Sequence, residues 1–248
     1  MSRQARQKSK TGIYHIMLRG INRQDIFQDD EDKGVYLERL SNYKNECRFK
    51  IYAYCLMNNH VHLLLKEGSV SISDVMKRIG ASYVYWYNRK YDRIGHLFQD
   101  RYKSEPIECE KYLITVLRYI HQNPIKVGLP IDSWTSYNDY LGDDGITDKK
   151  SILELFGRES EIARNEFIKY MSQTNNDLCL DISERKRITD DEAKEIIKKI
   201  GKITTCQELQ QIDRDTRGMI LKKLKEEGLS IRQIERLSGL NRGVILKA

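Results

Sequence analysis

The chain has 248 residues, enough for one large domain, or for one domain joined to a smaller one. Lys and Arg number 43 against 36 Asp and Glu, a net charge of +7, and 32% of the residues are charged. That balance favours a polyanionic partner, because Lys and Arg displace the counterions condensed on phosphates. The five cysteines (Cys47, Cys55, Cys109, Cys179 and Cys206) are odd in number and include no Cys-x-x-Cys pair. This excludes a disulfide framework and a zinc ribbon, and fits a reducing cytoplasm. Met1 to Lys10 is polar and basic with no apolar run behind it, so neither a signal peptide nor a membrane span is expected there. Residues 1–12 read either as a solvated tail or as a basic arm lying along a phosphate backbone.

In chain order, Ile13 to Arg19 reads as a first strand, closed by Gly20. Asp29 to Cys47 has helical spacing, with Val35, Tyr36, Leu37 and Leu40 on an apolar stripe. Phe49 to Met57 alternates as a second strand, and Asn58-Asn59 supplies a two-residue turn, since Asn tolerates the left-handed region of a tight hairpin. His60 to Lys66 is a third strand. Ser71 to Tyr91 is a helix with Ser71 or Ser73 as its cap, and its Tyr83, Tyr85, Trp86 and Tyr87 suit core packing better than stacking on bases. Arg101 to Ile107 is a fourth strand, and Glu110 to Asn123 a third helix stopped by Pro124. The order β-α-β-β-α-β followed by a helix is that of an α+β, ferredoxin-like antiparallel sheet with helices on one face.

This first domain is expected over residues 13–145, with a boundary in the Asp- and Gly-rich stretch from Asp143 to Lys149. The remainder, 150–248, is helical in pattern. Arg214 to Glu227 reads as a supporting helix. Ser230 and Gln233 form a capping box before Ile231, Ile234 and Leu237, and Gly239 makes a turn into a last helix carrying Asn241, Arg242 and Lys247. The stretch 214–248 therefore reads as a helix-turn-helix whose last helix presents Asn241, Arg242 and Lys247 to DNA. A plain helical hairpin is the other reading.

Two features carry chemistry. His60 and His62 alternate with Val61 on a strand, so both imidazoles project from one face and can share a divalent ion, while Val61, Leu63 and Leu65 face the opposite, apolar side. Tyr119 and Asn123 lie one turn apart on one face of the third helix, where a phenol could meet a phosphate and an amide oxygen could meet a metal. Tyr112, seven residues before Tyr119, is a rival nucleophile. Arg101 and Lys103, on one face of the fourth strand, are candidates for phosphate contacts.

The run from Tyr54 to Leu64, with His60-Val61-His62 at its end, resembles the metal-binding strand of single-tyrosine HUH transposases. Leu117 to Leu129 resembles their tyrosine helix, and Gly95-His96-Leu97-Phe98-Gln99-Asp100-Arg101-Tyr102-Lys103-Ser104 is similar to the segment that the REP-associated tyrosine transposases carry between the two. The resemblance spans about Ile13 to Tyr140. It implies single-stranded or hairpin DNA as substrate, Tyr119 as nucleophile, and His60, His62 and Asn123 as ligands of Mg2+ or Mn2+. Of these ions Mn2+ accepts imidazole more readily. Asn123 stands where a glutamine is common and reaches less far. A homodimer is compatible with the resemblance, which leaves open whether Tyr119 acts on its own subunit. Two other readings remain at this point. Cys55, opposite His62 in the proposed hairpin, would complete a zinc set with His60 and His62. A non-catalytic helix-turn-helix regulator derived from a transposase is the second.

Overall fold

The computed structural model describes residues 6–177, 179–180 and 188–247. Two compact units divide the chain, Met1–Asp181 and Ile182–Ala248.

In the first unit the strands are β1 (Ile13–Arg19), β2 (Lys50–Met57), β3 (His60–Lys66) and β4 (Lys103–Ile107), in the order β2-β3-β1-β4 and antiparallel throughout. The helices α1 (Asp30–Cys47) and α2 (Ile72–Lys90) connect them, and α3 (Glu110–His121) follows. Each long helix begins where a side chain takes up a backbone N–H that the helix leaves unbonded: Asp29 accepts from Asp32 and Ser71 from Asp74. The expected α+β sheet architecture is therefore present.

Side-chain alternation divides the sheet into two buried faces. Tyr14, Ile16, Leu18, Tyr54, Leu56, Val61, Leu63 and Leu65 pack under α1 and α2 together with Tyr36, Leu40, Val75, Ile79, Tyr83 and Tyr87. Of the α2 aromatics, Tyr83 and Tyr87 are core and Trp86 packs against it, whereas Tyr85 is 72% exposed. The second face is covered by α3 rather than by solvent. Leu113, Val116, Leu117 and Ile120 bury against Tyr52, Ala53, Cys55 and Leu64. The helices thus occupy both faces, a departure from the one-face expectation, and the cause is visible in β3, whose Leu63, Leu64 and Leu65 are all buried. A strand apolar on both sides requires two covering layers. A register shift in β2 between Ile51 and Ala53 lets both Tyr52 and Ala53 face α3.

The β2–β3 hairpin has the expected two-residue turn, but neither Asn58 nor Asn59 has a positive φ. Tertiary bonds hold it instead: Asn58 O accepts from Ile26 N (2.7 Å) and Phe27 N (3.0 Å), and Asn59 O from Gly20 N (2.9 Å). Gly20 is required for this clasp, because a Cβ there would stand 2.1 Å from Gln24 O. The clasp fixes the end of β3 that bears His60.

After α3 the chain does not leave the unit at 143–149. Helices α4 (Tyr137–Leu141), α5 (Lys150–Leu153) and α6 (Ser160–Met171) continue the α3-side core, with Phe167 stacked on Tyr140 at 4.5 Å and Ile152 and Met171 buried. The boundary therefore falls after Asp181, later than the Asp- and Gly-rich stretch suggested. The segment beyond α6 straps the outer side of α3. Asp177 accepts from Arg118 Nε (2.9 Å) and Nη2 (3.0 Å), Tyr170 lies under the same guanidinium at 4.2 Å, and Gln122 Nε2 donates to Met171 O (2.6 Å).

In the second unit, α7 (Asp190–Gly201), α8 (Arg214–Glu226), α9 (Ile231–Ser238) and α10 (Arg242–Lys247) enclose a core of Ile197, Leu221, Leu224, Ile234 and Ile245. Gly239 ends α9 in the left-handed region (φ 71°), as the turn requires. Ser230 caps α9 by accepting from Gln233 N, but the Gln233 side chain donates to Ile188 O (2.9 Å) and does not return to Ser230, so only half of the expected capping box forms. Among the described residues, no helix is long and apolar enough to cross a membrane.

Replacement of Asp177 by Ala should leave the nearly buried Arg118 guanidinium short of its bidentate partner and lower stability by about 2–3 kcal/mol, read as a fall in the urea midpoint of the first unit. His121 is fully buried against Ser136, and burial lowers its pKa from 6.5 to about 3. The unfolded chain then binds the extra proton first, so stability is intact above about pH 6.5 and declines as the pH falls towards about 3. Relative to wild type, H121Q should gain about 2 kcal/mol between pH 7 and pH 5 in urea unfolding.

Candidate active site

The α3-facing side of the sheet carries a polar patch within its apolar surround. Strand register sets its rows. Cys55, His62, Met17 and Lys103 form one row, Met57, His60 and Arg19 the next, and Ala53, Leu64, His15 and Glu105 the one on the other side. His60 and His62 share this face as expected, with ring centroids 5.1 Å apart. His15 joins them: its Nε2 lies 3.0 Å from His62 Nδ1.

His62 is fully buried, and its Nε2 has no hydrogen-bond partner. Burial, then the nearby His15, His60 and Lys126, hold its pKa well below the usual histidine value. It is therefore a neutral imidazole with an open nitrogen, the form that ligates metals. His60 Nδ1 lies 2.6 Å from Asn59 Oδ1, an acceptor only, so Nδ1 carries a proton. A neutral imidazole with an orphaned buried nitrogen, beside a second imidazole on the same face, fits a divalent cation.

Cys55 stands opposite His62, as the hairpin register requires, but burial pushes its thiol pKa up to about 12. Among the described residues no group of three His, Cys, Asp or Glu is placed to hold a metal. The zinc set of Cys55, His60 and His62 is thereby excluded as a three-ligand centre, and Cys55 is a core residue of the α3 side.

From above, α3 lowers Tyr119 onto this patch. Its ring lies 5.7 Å from that of His62 and 5.9 Å from that of His15, with only 4% of the residue exposed. Lys126, on the 3-10 turn Pro124–Val127 that follows α3, places its Nζ 3.6 Å from the centre of the Tyr119 ring. Asn123 is buried, and its Nδ2 donates to Tyr119 O at 3.2 Å, which leaves only its oxygen to meet a cation. Tyr112 is engaged elsewhere. Burial and the hydrogen bond to Glu105 raise its pKa well above the ordinary phenol range, which suits a structural hydroxyl and not a nucleophile.

Lys103 is exposed on the histidine face, in the row of His62. Arg101 does not share it. The strand begins two residues later than the sequence suggested, so alternation does not reach Arg101, which lines a cleft with Arg6, Tyr14 and Tyr102. The cleft is closed by the N-terminal segment: Arg6 lies over the Tyr102 ring at 3.7 Å and donates to Tyr102 O at 2.8 Å. Residues 1–5 of the expected basic arm lie outside the described residues. In the second unit Arg242 and Lys247 are exposed on α10, whereas Asn241 spends its Oδ1 on Gly243 N (2.8 Å) at the start of that helix.

Sequence reasoning missed His15, Glu105 and Lys126. His15 was legible as a polar residue at an inward position of an otherwise apolar strand. Lys126 follows Tyr119 by seven residues across a proline, where no periodic rule applies.

Residues 8–123 match the family described as "Transposase IS200 like". No curated protein matches the chain. Among solved structures, a REP-associated tyrosine transposase bound to a REP hairpin is 17% identical, with 64% of this chain and 98% of that one covered at a TM-score of 0.47. A candidate transposase from Deinococcus radiodurans R1 is 17% identical, with 49% and 97% covered at a TM-score of 0.35. At these scores neither likeness bears on site or ligand. Residues 8–123, which hold His60, His62, Tyr119 and Asn123, are the stretch that is similar to the IS200-like transposase family.

Proposed function

We propose that the protein is a metal-dependent single-stranded DNA nuclease and strand-transfer enzyme that works through a 5′-phosphotyrosine on Tyr119. The observation that carries this is the approach of the Tyr119 ring to within 5.7 Å of the neutral, open-sided His62, beside His60. The phenol gives up its proton as its oxygen attacks phosphorus, the bond to the 3′ oxygen breaks, and that oxygen takes up a proton as it leaves, so the step is neutral in protons. Energy is retained in the ester, so a second 3′-hydroxyl can reverse the step and join strands without ATP. His60 and His62, with the Asn123 oxygen as third donor, would hold Mg2+ or Mn2+, which when bound polarises the phosphoryl oxygens and orients the scissile phosphate. Lys126 sets a positive charge over the nucleophile, where it offsets the charge of the incoming phosphate. Lys103, in the His62 row, extends that charge along the strand.

Several features support an accessory DNA role for the second unit. The α8-α9-α10 order with Gly239 at the turn is that of a helix-turn-helix, and Arg242 and Lys247 face solvent on its last helix. Asn241 would act there as a cap instead of a base reader. Hairpin DNA is the proposed substrate, and the five unpaired cysteines suit a cytoplasmic protein. Because α3 seats Tyr119 on the histidines of its own chain, cleavage within one subunit is favoured over exchange in a homodimer.

Incubation with hairpin-bearing single-stranded DNA and Mn2+, followed by denaturing electrophoresis, should yield a protein–DNA adduct. The adduct should vanish in Y119F and persist in Y112F; survival in Y119F would overturn the assignment. K126A should slow its formation on the order of 10–100-fold.

A further inference from the structure

A carboxylate and an imidazole stand behind His62 and have no part in the chemistry above. Glu105 is the cross-strand neighbour of His15 on β4, and His15 reaches diagonally to His62 on β3, all on one face of the sheet. The distances form a chain: Glu105 Oε2 lies 3.9 Å from His15 Nδ1, and His15 Nε2 lies 3.0 Å from His62 Nδ1. Both imidazoles are fully buried. Glu105 is itself held, since Leu180 N donates to its Oε2 at 3.2 Å and Tyr112 bonds to its side chain.

The polarity of this chain can run in only one useful direction. His62 Nε2 is the buried nitrogen without a hydrogen-bond partner and must keep its lone pair to bind a cation. A neutral imidazole then carries its proton on Nδ1, so His62 Nδ1–H donates to His15 Nε2. His15 in turn carries its own proton on Nδ1, 3.9 Å from Glu105 Oε2, a charge–dipole approach longer than a hydrogen bond. The charge of Glu105 is thereby transmitted through two polarised rings to the ligating nitrogen, which fixes the tautomer and the rotation of His62 and raises its basicity. Two buried imidazoles also exclude a bland alternative. Apolar residues would fill this space at no desolvation cost.

We infer that Glu105 and His15 are positioning residues that set the tautomer of His62 and hold its Nε2 ready for the divalent cation, with Tyr112 and the Leu180 backbone N–H fixing Glu105. This rests on the proposed metal reading of His62, and it gives Tyr112 a place as buttress instead of nucleophile.

The full-length protein tests it by two readouts. In metal-free protein, long-range 15N–1H imidazole correlation spectra should show His62 of the wild type as the Nδ1–H tautomer, and H15L should shift it towards Nε2–H. Mn2+ titration followed by electron paramagnetic resonance should show the dissociation constant rising on the order of 10–100-fold in H15L, and less in E105Q and H15Q, which retain a polar group. Circular dichroism reports folding, and H15Q serves if H15L does not fold. An Nε2–H tautomer for wild-type His62, or wild-type Mn2+ affinity in folded His15 variants, would overturn the relay. Wild-type protein that takes up no Mn2+ would instead overturn the proposed function, while the metal-free tautomer still decides the relay.

Discussion

The molecule depends on the register of β3 between β1 and β2. Side chains on a strand alternate strictly, so the pairing of His62 with Met17 on one side and Cys55 on the other decides which residues face α1 and α2 and which face α3. A slip of one residue would send His60 and His62 under α1 and α2 and bring Val61 and Leu63 to the other face. The Asn58-Asn59 turn sets the register, and the backbone clasp from the segment after Gly20 holds it.

The second constraint is the cover of the histidine face. A sheet with solvent on that side would leave His62 hydrated and its pKa ordinary. With α3 in place the ring is buried and neutral, and Tyr119 is the helix residue that meets it. The cover is held from outside by Arg118, Asp177, Gln122 and Met171, so α6 and the segment after it contribute to the position of the helix that bears Tyr119. The first unit accordingly extends to Asp181, past the stretch at 143–149.

Charge is arranged by the same logic. Negative side chains lie behind the site, as Glu105 does, while the ammonium of Lys126 lies over Tyr119 and Lys103 is exposed on the histidine strand face. Cationic groups thus lie on the Tyr119 side, and the carboxylate lies behind two imidazoles.

Much of this was legible in the residues themselves. Alternation and helical spacing placed β1, α1, β3, α2 and α3 within a residue or two, because each buries a periodic apolar face whose period is a local property. The shared face of His60 and His62 follows from the same rule, and the Cys55–His62 pairing from a two-residue turn. The sequence could not determine what lay across the sheet. Which face α3 covers, that His15 and Glu105 stand behind His62, and that the 160–177 segment straps α3 are contacts between residues about 45 to 90 positions apart. No local period encodes such contacts; they are fixed only when two apolar faces close on one strand and exclude water between them.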